Sequence, residues 1–246
     1  MNIEDLTKDY TDSIGHIVHL LENINLSIGE GEFTTILAPT GAGKSTLVKI
    51  IAGLENLSSG KIENNSKKKI FIPSKPSSFP WLSVMENILF DIKDHDADEL
   101  QDIINLVGLA GYEDHYPHDK SLGFRLRISL GRAIVNKADL IIIDEPFAKM
   151  RDEIKNGIYL LLRKIQHDRK ISVVLSTSNI SEAILLSDKV FLMDKNPGRI
   201  LDSFVIQFVD PTRKIFNDSK DFTDYRERIK AYLTKINSNK ILNISL

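Results

Sequence analysis

Short all-apolar runs alternate with helical periodicity along this chain, and glycine-bearing segments separate them. Between about Asn23 and Leu37 two apolar stretches flank Gly29-Glu30-Gly31. The second, Phe33-Thr34-Thr35-Ile36-Leu37, has the β-branched content of a buried strand. Beyond a glycine cluster, Leu47, Ile50, Ile51 and Leu54 recur at helical spacing, with Gly53 near the expected stop. Ser58-Ser59-Gly60 marks a turn, and Lys67-Lys68-Lys69 reads as the solvated tip of a hairpin before the apolar run Ile70-Phe71-Ile72.

From Pro73 to about Lys137 the texture changes to proline-bearing loops, an acidic stretch from Asp91 to Glu99, and helical periodicity at Leu100, Ile103, Ile104 and Val107. This predicts a helical insert over about residues 75–137. A second all-apolar strand, Leu140 to Ile143, ends at Asp144-Glu145-Pro146. An amphipathic helix from about Asp152 to Gln166 precedes a third strand, Ile171 to Leu175. After Val190 a hairpin is expected around Asn196-Pro197-Gly198, then a polar tail (about 205–246) with a helix from Asp221 to Ile236. Strands alternating with helices imply an α/β protein whose mainly parallel sheet is covered on both faces.

Charge and composition narrow the function classes. Thirty-two basic and thirty-four acidic side chains leave a net charge of −2, so there is no global drive toward nucleic acid, and none is expected as a partner. The absence of cysteine excludes disulfides, thiolate nucleophiles and sulfur-ligated metals. The longest apolar runs fall far short of the roughly 18 residues needed to span a bilayer. The acidic start Met1-Asn2-Ile3-Glu4-Asp5 carries no secretory pattern, and a cytoplasmic location is expected.

The chemistry concentrates at Ala38-Pro39-Thr40-Gly41-Ala42-Gly43-Lys44-Ser45-Thr46, which joins a strand to a helix. In that context glycines let backbone N–H groups converge on phosphate oxygens at a helix N-terminus. Lys44 would reach the β- and γ-phosphates. Ser45 offers a hard oxygen to a magnesium ion, and Asp144, at the end of a buried strand, offers a second. Ala38 stands where the usual G-x-x-x-x-G-K-[ST] pattern has glycine, which is costly only if that position requires positive φ. Glu145 follows Asp144 directly, suited to orient or deprotonate an attacking water.

These motifs, in this order, resemble the ATP-binding subunit of an ABC transporter over nearly the whole chain. The resemblance implies one domain over 1–246 with a P-loop NTPase core, an antiparallel N-terminal β part and the helical insert. Ala38 to Thr46 looks like the family's Walker A segment, and Leu140 to Glu145 like Walker B with its catalytic glutamate. Tyr10 sits where the family places an aromatic ring against adenine. Phe79 to Ile88 and Asn196-Pro197-Gly198-Arg199-Ile200 look most like the nitrate, sulfonate and taurine importers. The implied cofactors are ATP and Mg2+. The implied partners are membrane permease subunits, a solute-binding protein and a second ATP-binding subunit, identical or different, at the cytoplasmic face of the membrane. Trp81 and Leu82 are the candidates for the permease-facing groove, with insert core as the alternative.

Four positions depart from the family pattern. The glutamine that contacts magnesium and water falls at Ser74. The signature reads Lys120-Ser121-Leu122-Gly123-Phe124, keeping Ser121 and Gly123 as nucleotide contacts but turning the first glycine into Leu122, which is expected to crowd the partner's γ-phosphate. Arg151 takes the place of an aspartate, and Ser178 that of the switch histidine. Each lost transition-state contact typically lowers rate by about 10²–10³-fold, so slow hydrolysis is expected, with ATP binding better preserved. Alternative readings are a nucleotide switch or structural subunit with little turnover, or a soluble ABC-family ATPase outside transport. His115 and His118, beside Pro117, read as surface histidines rather than a metal pair.

Overall fold

The computed structural model describes residues 1–118, 120–208 and 219–244. Along the chain run β1 (Asn2–Thr11), β2 (Ile17–Ser27), β3 (Phe33–Leu37), α1 (Lys44–Ala52), β4 (Ser59–Glu63) and β5 (Lys69–Ile72). There follow α2 (Val84–Ile88), α3 (Ala97–Val107), α4 (Leu122–Val135), β6 (Leu140–Asp144), α5 (Asp152–Arg169) and β7 (Ser172–Thr177). The described chain ends with α6 (Ile180–Leu186), β8 (Lys189–Met193), β9 (Ile200–Val205) and α7 (Lys220–Ile244). A three-stranded antiparallel sheet has the order β2-β1-β4, and a six-stranded sheet the order β5-β6-β7-β3-β8-β9. In the larger sheet every pair is parallel except β8–β9 at its edge.

Alternate residues of the central strands serve two cores, which explains why these strands are buried along their whole length and rich in apolar residues. Ile141, Ile143, Val173 and Leu175 pack with Ile158, Leu162 and Ile165 of α5 and with the insert helices. Ile36, Ile142 and Val174 pack with Leu47, Ile50 and Ile51 of α1 and with Ile3, Leu6 and Ile24 of the small sheet. Leu37, Val190 and Leu192 form a third cluster with Ala183 and Ile184 of α6 and Phe222 and Ile229 of α7.

Three local expectations need correction. Ser59 and Gly60 do not turn the chain but open β4. Lys67 to Lys69 are not a hairpin tip, because β4 belongs to the small sheet and β5 to the large one. They form a crossover in which the Lys67 and Lys68 amides donate to the Asp139 carboxylate and the Lys69 ammonium donates to the Ile51 carbonyl at 3.0 Å. Leu54 does not extend the apolar face of α1. Gly53 closes the helix in a left-handed cap, with φ 78°, and leaves Leu54 64% exposed beyond it.

In the insert, α2 starts with a reciprocal capping box between Ser83 and Glu86. Buried Asn87 donates to the carbonyls of Phe79, Leu82 and Ser83 and accepts from the Phe79 amide and the Arg132 guanidinium. That bonding fixes the loop carrying Trp81, which projects into solvent at 70% exposure. Trp81 is therefore not insert core, while Leu82 is half-buried.

Candidate functional site

In a parallel sheet the crevice outside the carboxyl ends of the strands is where chemistry is assembled. Here the ends of β3, β7 and β6 lie side by side, and Ile36, Ser176 and Asp144 form one row across them. The loop from Ala38 to Gly43 leaves β3 and feeds α1, while Glu145 and Ser178 follow the ends of β6 and β7. Residues more than a hundred positions apart in sequence are thus brought to one edge.

Within the loop, Gly41 and Gly43 take φ of 84° and 90°, conformations that side-chain-bearing residues avoid. Gly43 has a second constraint, since a Cβ there would stand 2.8 Å from Leu21 Cδ2. Ala38 is not among the positive-φ residues, and its buried amide donates to the Thr177 carbonyl at 3.2 Å. Alanine at this position therefore carries no left-handed penalty. Pro39, Thr40 and Ala42 complete the loop; the Ala42 amide donates to the Pro39 carbonyl at 3.3 Å. Ser45 is exposed on the first turn of α1, beside half-buried Thr46.

Lys44 is only 4% exposed. Its ammonium donates to the carbonyls of Ala38 at 2.9 Å and Pro39 at 3.0 Å and ion-pairs with Glu145 at 2.8 Å. Glu145 adopts φ 42°, which costs a residue with a side chain about 1–2 kcal/mol. Its amide is held by both the carbonyl and the hydroxyl oxygen of Ser176, at 3.0 and 3.2 Å. Asp144 is buried, accepts a hydrogen bond from the Ser176 hydroxyl, and has no cationic partner among the described residues. A buried carboxylate of that kind, with the Ser45 hydroxyl on the neighbouring helix, is a hard-oxygen donor set suited to a divalent cation.

Tyr10 lies on β1, 41% exposed, with the Lys8 ammonium 4.8 Å from its ring centre. Its hydroxyl bonds to Glu55, whose carboxylate raises the phenol pKa, and it also meets the Thr46 side chain, which ties it to the first turn of α1.

The family model described as ABC transporter matches residues 21–148. An uncharacterised ABC transporter ATP-binding protein of Methanocaldococcus jannaschii is 33% identical over 93% of this chain and 89% of its own length. An aliphatic sulfonates import ATP-binding protein of Bacillus cereus is 33% identical over 93% of this chain and 94% of its own. The chain belongs to the ABC transporter family. The fold agrees: the ABC transporter cassette MJ0796, solved as a dimer, superposes with a TM-score of 0.71 at 24% identity, over 84% of this chain and 99% of that one.

With the ABC family established, the divergent positions can be placed. Ile72 pairs with Ile143, so Ser74 and Glu145 each stand two residues beyond that pair. Ser74 and Ser178 are both exposed. Arg151 is the exposed residue preceding α5, and its side chain makes no capping bond. Ser121 is the N-cap of α4, its hydroxyl accepting from the Phe124 amide at 3.2 Å. Gly123 is buried where a Cβ would meet Ile154 Cγ2 at 2.6 Å, so packing alone already demands glycine there. Leu122 is half-buried against the insert core rather than standing free. Neither Ser121 nor Gly123 shares a hydrogen bond with the Lys44 cluster among the described residues.

Sequence reasoning missed two residues at this site. Ser176 falls just past the strand expected from Ile171 to Leu175, and only the register places it between Asp144 and Ile36. Gly198 lies in the loop between β8 and β9, and a Cβ there would stand 2.5 Å from the Ala42 carbonyl oxygen. That loop is fastened to β2 by Glu22 N–H to Gly198 O at 2.9 Å and Gly198 N–H to Leu20 O at 2.8 Å. The Asn196-Pro197-Gly198 segment thus braces the phosphate loop from behind. Among the described residues no cluster of three or more His, Asp or Glu is arranged to hold a metal.

Proposed function

We propose that this chain is the ATP-binding subunit of an ABC importer, converting nucleotide-driven closure of a pair of such subunits into movement of separate membrane permease subunits. The observation that carries the reading is the ion pair between Lys44, at the start of α1, and Glu145, which follows Asp144 at the end of β6, beside a loop whose glycines hold left-handed turns. Backbone amides of the loop and first helical turn, from Thr40 to Thr46, and the Lys44 ammonium bind the terminal phosphates of ATP, and the ring of Tyr10 stacks on adenine. Ser45 and Asp144 would hold Mg2+, which when bound supplies charge neutralisation at the β- and γ-phosphates. Glu145 orients the attacking water and takes up its proton. Ser121 and Gly123 face the nucleotide of the second ATP-binding subunit.

Turnover in this protein is slow, because Ser74 and Ser178 supply neither an amide nor an imidazole to the transition state. Similarity to the sulfonate import proteins supports a small anionic solute as cargo, delivered by a solute-binding protein. No helix among the described residues is long and apolar enough to cross a membrane, which fits a peripheral position on permease subunits at the cytoplasmic face. The deciding experiment is calorimetric titration with MgATP beside steady-state phosphate release, alone and with co-expressed permease subunits. Micromolar binding with slow, permease-stimulated release is expected; no heat with MgATP overturns the proposal.

A further inference from the structure

Ser176 ends the apolar run Val173-Val174-Leu175 while still inside β7, at a position with no solvent exposure. A hydroxyl there is costly to bury unless it is bonded, and a β-branched apolar residue would suit a central strand better. Packing therefore does not account for it. Its hydrogen bonds do: the hydroxyl donates to Asp144 Oδ1 at 2.5 Å and accepts from the Glu145 amide at 3.2 Å, while the Ser176 carbonyl accepts from the same amide at 3.0 Å. One residue thus grips two consecutive acids from the neighbouring strand.

We infer that Ser176 is a positioning residue for both acids. By engaging one oxygen of Asp144, its hydroxyl fixes the rotation of that carboxylate and so determines how the other oxygen is presented to a cation. By holding the Glu145 amide, it keeps that residue in its left-handed turn, from which the carboxylate reaches Lys44. Outer hydrogen-bond partners of this kind typically tune metal affinity or activity about 10–100-fold. The inference rests on the nucleotide-binding reading above and assigns a residue that the sequence pattern did not mark.

The test uses the full-length protein with Ser176→Ala, which removes one oxygen, and Ser176→Thr, which restores a hydroxyl. ATP affinity is measured by calorimetry with Mg2+ and with EDTA, beside the thermal midpoint. Ser176→Ala is expected to leave the EDTA affinity unchanged and to shrink the Mg2+ enhancement about tenfold. Ser176→Thr should recover it, and Ser176→Ala should have no further effect in an Asp144→Asn background. Equal loss of affinity in Mg2+ and EDTA would mark a structural role and overturn the inference. So would an alanine variant indistinguishable from its parent. A parent that binds no nucleotide in either condition removes the underlying reading as well, so the two failures are distinguishable.

Discussion

The ammonium of Lys44 lies 2.8 Å from a carboxylate oxygen of Glu145, and the carbonyls of Ala38 and Pro39 occupy its other donors. In the proposed mechanism the terminal phosphates of ATP compete with Glu145 for this buried charge. Glu145→Gln removes the competitor along with the group that handles the proton. The variant should bind MgATP several-fold more tightly, while phosphate release falls by about 10²–10³-fold, as for loss of one preorganised contact. Lys44→Ala should abolish binding. Calorimetry and a phosphate-release assay read the two effects separately, and an unchanged affinity in Glu145→Gln would refute the competition.

Gly198 and Ala42 are linked by contact rather than by chemistry. Any side chain at Gly198 must displace both the Ala42 carbonyl and Met193 Cε, which lies 2.6 Å from the same point. Gly198→Ala should therefore weaken ATP binding about tenfold, equivalent to about 1.4 kcal/mol. Gly15→Ala is the control: Gly15 has φ 90° but nothing near its side-chain position, so that change strains the hairpin and leaves nucleotide affinity alone. Equal affinities in the two variants would mean that the β8–β9 loop does not brace the phosphate loop.

Behind Ser178, Thr177 donates its hydroxyl to Glu182, whose other oxygen meets the Tyr159 hydroxyl at 3.4 Å and Lys155 at 3.9 Å. Burial pushes the Glu182 pKa above the ordinary glutamate range and the charge of Glu145 pushes the same way, outweighing Thr177, Lys155 and Tyr159. The folded protein consequently holds this proton more firmly than the unfolded chain does. Glu182 costs no stability below its unfolded value of about 4.3 and an increasing amount as pH rises toward its folded value. Glu182→Gln should remove that loss, so the difference in thermal midpoint between variant and parent should widen in favour of the variant over this window. A difference independent of pH would rule out the buried charge as its cause.

How far the sequence could be read depends on which force set each feature. The central strands and α1 were legible because two-sided burial leaves short runs rich in apolar and β-branched residues and left-handed glycines punctuate them. Lys44, Asp144 and Glu145 stood out in the sequence because charges at a glycine loop and at the end of an apolar strand are not demanded by the fold, and the structure brings Lys44 and Glu145 into contact. Ser176 and Gly198 were not, since their roles come from register and from contact across the fold, and neither leaves a periodic trace. The lysine run at 67–69 misled because polarity signals exposure and cannot say which sheet the next strand joins. Leu54 misled because helical spacing continues past the point where Gly53 ends the helix.

Ser74 and Ser178 are both exposed at the strand-end edge, so longer side chains fit there without disturbing a core. Ser74→Gln combined with Ser178→His should restore transition-state donors and raise turnover about tenfold or more, with little change in ATP affinity. Leu122 is less free, because it is packed against the insert core and its replacement by glycine also weakens the first turn of α4. Steady-state kinetics on the double variant decide the matter; unaltered turnover would mean that the slow step lies elsewhere.

Trp81 offers a test of partner binding that is separable from nucleotide chemistry. Its ring leans on Phe79 at 5.6 Å, Phe79 packs tilted against Phe90 at 4.4 Å, and the Arg132 guanidinium sits 5.3 Å from the Phe79 ring. Asn87 holds this loop from within, so the exposed indole is supported by a rigid base. Because the indole is largely in solvent, Trp81→Ala should change stability by no more than about 0.5 kcal/mol and leave ATP binding intact. Asn87→Ala takes the side-chain partner from the Phe79 amide and the Leu82 carbonyl and should cost about 1–3 kcal/mol. Recovery of co-expressed permease subunits with the tagged protein should fall sharply for Trp81→Ala at unchanged thermal midpoint. Full recovery would show that the membrane partner docks elsewhere, whereas a midpoint lowered as in Asn87→Ala would show that Trp81 serves the insert itself.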